Sequence, residues 1–113
     1  MRLEIPDAVR NYALGEGFVW WLDELPTLVQ SLADEWPLTI GASFHGGHAA
    51  FVAEATTSDG TDAVLKICVP GDRRAVRCEV AVLRLADGDG CAQLLLDDLE
   101  RDALLLERLG YVT

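Results

Sequence analysis

Apolar positions in the first third of the chain recur at spacings of three and four. Val9, Tyr12 and Ala13 follow Pro6, which suits a first helical turn. Gly15 and Gly17 interrupt that segment. FVWWLDEL then leads to Pro26, expected in the first turn of a second helix, over PTLVQSLADEW. There Leu28, Val29, Leu32 and Trp36 share a face, and the helix should end before Pro37. The period then changes to two. LTIGASFH and AAFVAEATT read as strands around a glycine turn, HGGH. DAVLKICVP reads as a third strand after SDGTD, which carries the Asp-Gly hairpin signal. Helical spacing returns in GDRRAVRCEVAVLRLADGDG, with Asp72 as the N-cap and DGDG as the stop. CAQLLLDDLE and DALLLERLG complete the pattern as two strands around a polar turn. The predicted order is two helices, three strands, one helix and two strands.

The 113 residues suit a single domain, and 50% of them are hydrophobic, which is enough for a core and argues against disorder. No apolar stretch is long enough to span a membrane, and MRLEIPDAVR lacks the pattern of a signal peptide. A net charge of −10 disfavours a nucleic-acid partner. Cys68, Cys78 and Cys91 show no CxxC spacing and are expected as free, mostly buried thiols in a reducing cytoplasm.

Lys66 changes the picture. It is the sole lysine beside eight arginines, and it lies in the apolar strand DAVLKICVP. Strand alternation puts it on one face with Val64 and Cys68, while Ala63, Leu65 and Ile67 point the other way. With both faces apolar, the strand reads as covered on both sides, so an unpaired ammonium there would cost several kcal/mol. Glu79 is the candidate partner: it lies three residues after Val76 and four before Leu83, on the core-facing stripe of the next helix. A buried structural ion pair is the plainer reading. Gly46 and Gly47 point further, because a glycine turn lets backbone amides approach an anion. A glycine turn, a third-strand lysine and a helix glutamate occur in this order in protein kinases. Against GxGxxGxV, the stretch from His45 keeps Gly47 and Val52 but has His45 and Ala50 where the pattern has glycine. A compact ammonium suits a site between two phosphates and a carboxylate better than a planar guanidinium does.

Other features read more simply. His45 and His48 are loop positions rather than metal ligands. DGDG is a turn rather than a calcium loop, the tryptophans pack, and Asp97, Asp98, Glu100 and Asp102 form a solvated acidic turn.

Together, IPDAVR, WLDELPTLVQSLADEWPLTIG, GGHAAFVAEA, DGTDAVLKICVPGD, the helix around Glu79, LADGDG and ALLLERLG resemble the aminoglycoside phosphotransferase superfamily. The match is to the N-terminal lobe of its streptomycin 6-kinase-like (aminoglycoside/hydroxyurea antibiotic resistance kinase) group. The resemblance implies an α+β, protein-kinase-like small lobe: a five-stranded antiparallel sheet with one αC-like helix. Residues 1–37 would form a helical extension and residues 38–113 the nucleotide-binding lobe of a single domain. It implies transfer of the ATP γ-phosphate to an antibiotic hydroxyl. Gly46 and Gly47 would line the phosphates, Lys66 would touch them and Glu79 would hold Lys66. Val52 and Val64 would line the nucleotide, and the adenine hinge would run through Leu106, Glu107 and Leu109. Members carry a second lobe with a His-x-Asp and a later metal-binding aspartate. Both histidines of this chain precede Lys66, so no catalytic residue is assigned here, and Mg²⁺ is expected only with that lobe. The chain is accordingly expected to be a truncated or fragmentary lobe, cytoplasmic, inactive alone and weak for ATP. Its expected partner is the missing C-terminal lobe or a second copy. The alternative is a non-catalytic, self-associating interaction module derived from such a lobe.

Overall fold

The computed structural model describes residues 3–44, 49–71, 73–90 and 92–108. Its elements are α1 (Asp7–Gly15), α2 (Val19–Glu35), β1 (Leu38–Ser43), β2 (Ala50–Thr57), β3 (Asp62–Cys68), α3 (Arg73–Ala86), β4 (Leu94–Asp98) and β5 (Ala103–Glu107). The order is the one the periodicity predicts. Pro6 stands immediately before the first turn of α1, where its carbonyl accepts the Arg10 N–H at 3.1 Å. The helix ends at Gly15, and Gly17 turns the chain with φ +84°, a conformation that glycine adopts without a Cβ penalty.

α2 departs from the expected boundaries. It begins at Val19 and runs unbroken to Glu35, with Pro26 in its interior. An interior proline removes one helical hydrogen bond and costs about 3 kcal/mol. The helix persists because Trp21, Leu22 and Leu25 before the proline, and Val29 and Leu32 after it, are all buried. Each such side chain contributes about 1.5–3 kcal/mol, so their burial outweighs the defect. Trp20, one position away, turns outward and is 53% exposed, so the three tryptophans do not pack alike.

The five strands pair antiparallel in the order β1-β2-β3-β5-β4. One face, carrying Phe51, Ala53, Ala55, Ala63, Leu65, Ile67, Ala103 and Leu105, packs on Val9 and Ala13 of α1 and on the buried side of α2. The N-terminal helices therefore share a single core with the sheet. α3 lies on the other face, where Val76 packs with Ala50 and Cys68 and Glu79 meets Lys66. Between Asp98 and Asp102 the acidic turn is more than solvated. Asp98 caps the backbone of Glu100 and Arg101 at 3.1 and 3.3 Å, Asp97 pairs with Arg84, and Asp102 is buried. Arg101 joins Asp98 at 2.6 Å and reaches Glu35, tying this turn to the end of α2. DGDG is a turn, with positive φ at Asp87, Gly88 and Gly90. Among the described residues no helix is long and apolar enough to cross a membrane.

Candidate functional site

Cross-strand register defines the second face of the sheet. Val52, Lys66 and Leu104 lie opposite one another in one row, and Glu54, Val64 and Leu106 form the next. Opposed residues share a face, so both rows point away from α1 and α2. In contrast to the expectation that β3 is covered on both sides, this face is partly open. Leu104 is buried, but Val52, Glu54, Val64, Lys66 and Leu106 are each half-buried. α3 crosses the face from the Cys68 end, where Val76 packs, past Lys66, where Glu79 pairs, to β4, where Arg84 meets Asp97.

Lys66 meets Glu79 across this edge. Its Nζ donates to Oε1 at 2.8 Å and to Oε2 at 3.2 Å. Glu79 arrives there because α3 turns Val76 and Val80 inward, and a residue three positions after Val76 shares that side. The two side chains remain 28% and 36% exposed. Water screens such a pair, which contributes about 1 kcal/mol at most. Its position matters more than its strength: it fixes an accessible ammonium at the border of a half-open apolar surface. The helix beneath is basic, with four arginines and one glutamate (4 − 1 = +3) in a chain of net charge −10. Cys68 shares the face, and burial pushes its thiol up to about 11. Lys66 acts in the opposite sense, and Glu79 and Asp102 reinforce the rise. It is free and buried, whereas Cys78 is free but exposed on α3. Cys91 lies outside the described residues.

The structure thus brings together Val52, Val64, Lys66, Glu79 and Leu106. Gly46 and Gly47, with His45 and His48, lie outside the described residues, as do Asp72 and Leu109. On either side of the glycine segment the chain is pinned: Phe44 N–H bonds Val52 O, and Val69 N–H bonds Ala49 O, each at 2.8 Å. Glu107 is exposed, but its N–H donates to Gln93 O at 2.8 Å, and the Arg108 N–H donates to Asp62 O at 3.3 Å. Neither amide is therefore available to a ligand edge without rearrangement. Among the described residues no group of three or more His, Cys, Asp or Glu side chains could hold a metal ion.

Sequence reasoning passed over two residues. Arg108 reaches back across the sheet, its Nε donating to Ala63 O at 3.1 Å and a terminal nitrogen to Ala55 O at 2.7 Å. It anchors the end of β5 on β3 and β2, which nothing in ALLLERLG announces. Glu54 is the other. It is the single charged residue of AAFVAEATT and has the same parity as Val52, a signal that was legible.

A five-stranded antiparallel sheet whose third strand carries a lysine paired to a glutamate of the following helix is the small-lobe arrangement of the kinase class. Similarity to known proteins narrows this. The chain is 37% identical over 110 residues to streptomycin 6-kinase of Streptomyces glaucescens, covering 95% of this chain and 35% of that protein. It is 34% identical over 110 residues to streptomycin 6-kinase of Streptomyces griseus, with the same coverage. It is 38% identical over 97 residues to hydroxyurea phosphotransferase of Kitasatospora aureofaciens, covering 86% of this chain and 27% of that protein. No family model matches the chain. By this sequence relationship the chain belongs to the streptomycin 6-kinase-like group of the aminoglycoside phosphotransferase superfamily, as the resemblance implied. It spans about a third of the length of the streptomycin 6-kinases that it matches.

Proposed function

We propose that this chain is the nucleotide-holding lobe of an O-phosphotransferase that acts on a hydroxyl of a streptomycin-type antibiotic. The observation that carries the reading is the Lys66–Glu79 pair at the edge of a half-open apolar face. The residues fit a nucleotide. Val52, Val64 and Leu106 offer an apolar platform for a base, and Lys66, oriented by Glu79, offers a cation for phosphates. Bound ATP would supply the transferable γ-phosphoryl group. Glu79 holds the ammonium in place, and the closely packed Cys68 and Val76 exclude water behind it. After Lys66 the chain contains no His-x-Asp, so the acceptor of the hydroxyl proton and the ligands of Mg²⁺ would come from a second polypeptide segment. ATP binding by this lobe alone should be weak, and the setting is the cytoplasm, where ATP is available.

The test is reconstitution. The 113-residue chain is mixed with a separately expressed polypeptide corresponding to the remaining two-thirds of a streptomycin 6-kinase, then assayed with streptomycin and ATP. The expected result is phosphorylation that needs both polypeptides and is lost with Lys66→Ala. Inactivity of a mixture whose two parts are folded and associated would overturn the assignment of substrate. Inability to bind any nucleotide would overturn the assignment of the lobe.

A further inference from the structure

We propose that the outer stripe of α3 docks the second polypeptide segment, the one that supplies the proton acceptor and the Mg²⁺ ligands. The inference rests on the nucleotide-lobe reading above and names the surface on which that segment sits. α3 is apolar on two sides. Val76 and Val80 are buried toward the sheet, and Glu79 and Leu83 lie half-buried beside them. On the outer side Cys78, Val82 and Leu85 follow at spacings of four and three, which aligns them in one stripe, with Ala81 alongside. Val82 is 63% exposed, and Leu85, at 88%, is the most exposed large apolar side chain among the described residues. Cys78 is exposed as well. None of the three joins either apolar cluster of the described residues. A helix at the surface ordinarily turns polar residues outward, so an apolar outer stripe marks a surface that another body covers.

Position and charge select the occupant. The end of β5 lies beside the end of α3. Glu107 N–H donates to Gln93 O at 2.8 Å, and Gln93 Nε2 donates to Oδ1 of Asp87, the residue that follows α3, at 3.4 Å. A segment continued from β5 therefore starts next to Leu85, in the last turn of α3. This chain covers 35% of each streptomycin 6-kinase that it matches, so most of such a protein remains to be placed against it. A second copy is the competing occupant. Charge disfavours it, because α3 carries four arginines and one glutamate, and pairing two such helices sets like charges together. A segment presenting apolar side chains rimmed by carboxylates complements both the stripe and the arginines that flank it.

The experiment follows alkylation of Cys78 by iodoacetamide at neutral pH, read by peptide mass spectrometry. It compares the 113-residue chain with a protein in which this chain is joined in frame to the remaining two-thirds of a streptomycin 6-kinase. Phosphorylation of streptomycin by the joined protein reports its correct assembly. Cys78 should react about tenfold more slowly in the joined protein than in the 113-residue chain. Leu85→Glu and Val82→Glu should each restore the faster rate in the joined protein, while leaving urea unfolding of the 113-residue chain unchanged. An active joined protein whose Cys78 reacts as fast as in the 113-residue chain overturns the proposal and leaves the lobe reading intact. Protection that develops in the 113-residue chain alone as its concentration rises assigns the stripe to a second copy and also overturns it. An inactive joined protein overturns the lobe reading and the proposal together, so the failures are distinguishable.

Discussion

Replacing Lys66 by alanine separates a structural ion pair from a ligand-binding cation. Both partners of the pair are about a third exposed, so water screens the charges and recovers much of what each loses. An exposed pair is worth about 0.2–1 kcal/mol, and Lys66→Ala should therefore lower stability by about 1 kcal/mol or less. A hydrogen bond from an ammonium to phosphate oxygen is worth about 1.5–3 kcal/mol, equivalent to roughly 10- to 150-fold in affinity. Binding should thus suffer more than folding. Stability is read from urea unfolding followed by tryptophan fluorescence, since Trp21 is buried in the main core. Binding is read from amide shifts over millimolar ATP. Glu79→Gln serves as a control: it should retain most of the stability and lose part of the affinity, because the ammonium is less firmly placed. A stability loss of about 3 kcal/mol or more, with ATP binding unaltered, would show that Lys66 serves the fold and would refute the reasoning.

Other consequences follow from the packing. Pro26→Ala should stabilise the chain by about 1–3 kcal/mol by restoring a helical N–H inside α2, giving a higher melting temperature; a lower one would mean that α2 is not continuous there. Alkylation should modify exposed Cys78 at neutral pH while Cys68 stays protected until unfolding, as peptide mass spectrometry would reveal; equal rates would contradict the buried placement of Cys68. Cys68 also makes stability depend on alkaline pH. Its thiol titrates at about 11 when folded, against an ordinary value of 9.0. Below pH 9 both states keep the proton and the contribution is complete. As pH rises from 9 to 11 the unfolded state sheds protons first, so stability declines by up to ~3 kcal/mol. Cys68→Ala should flatten that decline, and an identical slope in the variant would assign it elsewhere.

The element order was legible because each segment has a clean period and a chemical boundary. Gly17, the Asp59-Gly60 hairpin and the DGDG turn all fall where the chain turns. The start of α2 was not legible, since a local rule about Pro26 competes with burial of Trp21, Leu22 and Leu25, which depends on a sheet formed later in the chain. Pairing of Lys66 with Glu79 was legible as two opposite charges on apolar stripes. Its half-open setting was not, because strand alternation says which residues share a face but not what covers that face. For the same reason the acidic turn looked merely solvated, although Asp97 and Arg101 are engaged with side chains distant in sequence. Arg108 was invisible because its partners are backbone carbonyls on β2 and β3, and any residue type could supply those.

An amide-shift map of the wild-type chain under ATP addresses the central claim most directly. If the face bearing Lys66 holds the nucleotide, the largest changes fall on Val52, Glu54, Val64, Lys66 and Leu106, and adenosine, which lacks phosphates, leaves Lys66 unmoved. Changes concentrated instead on the opposite side, around Trp20 and Arg101, or no change at all, would contradict it.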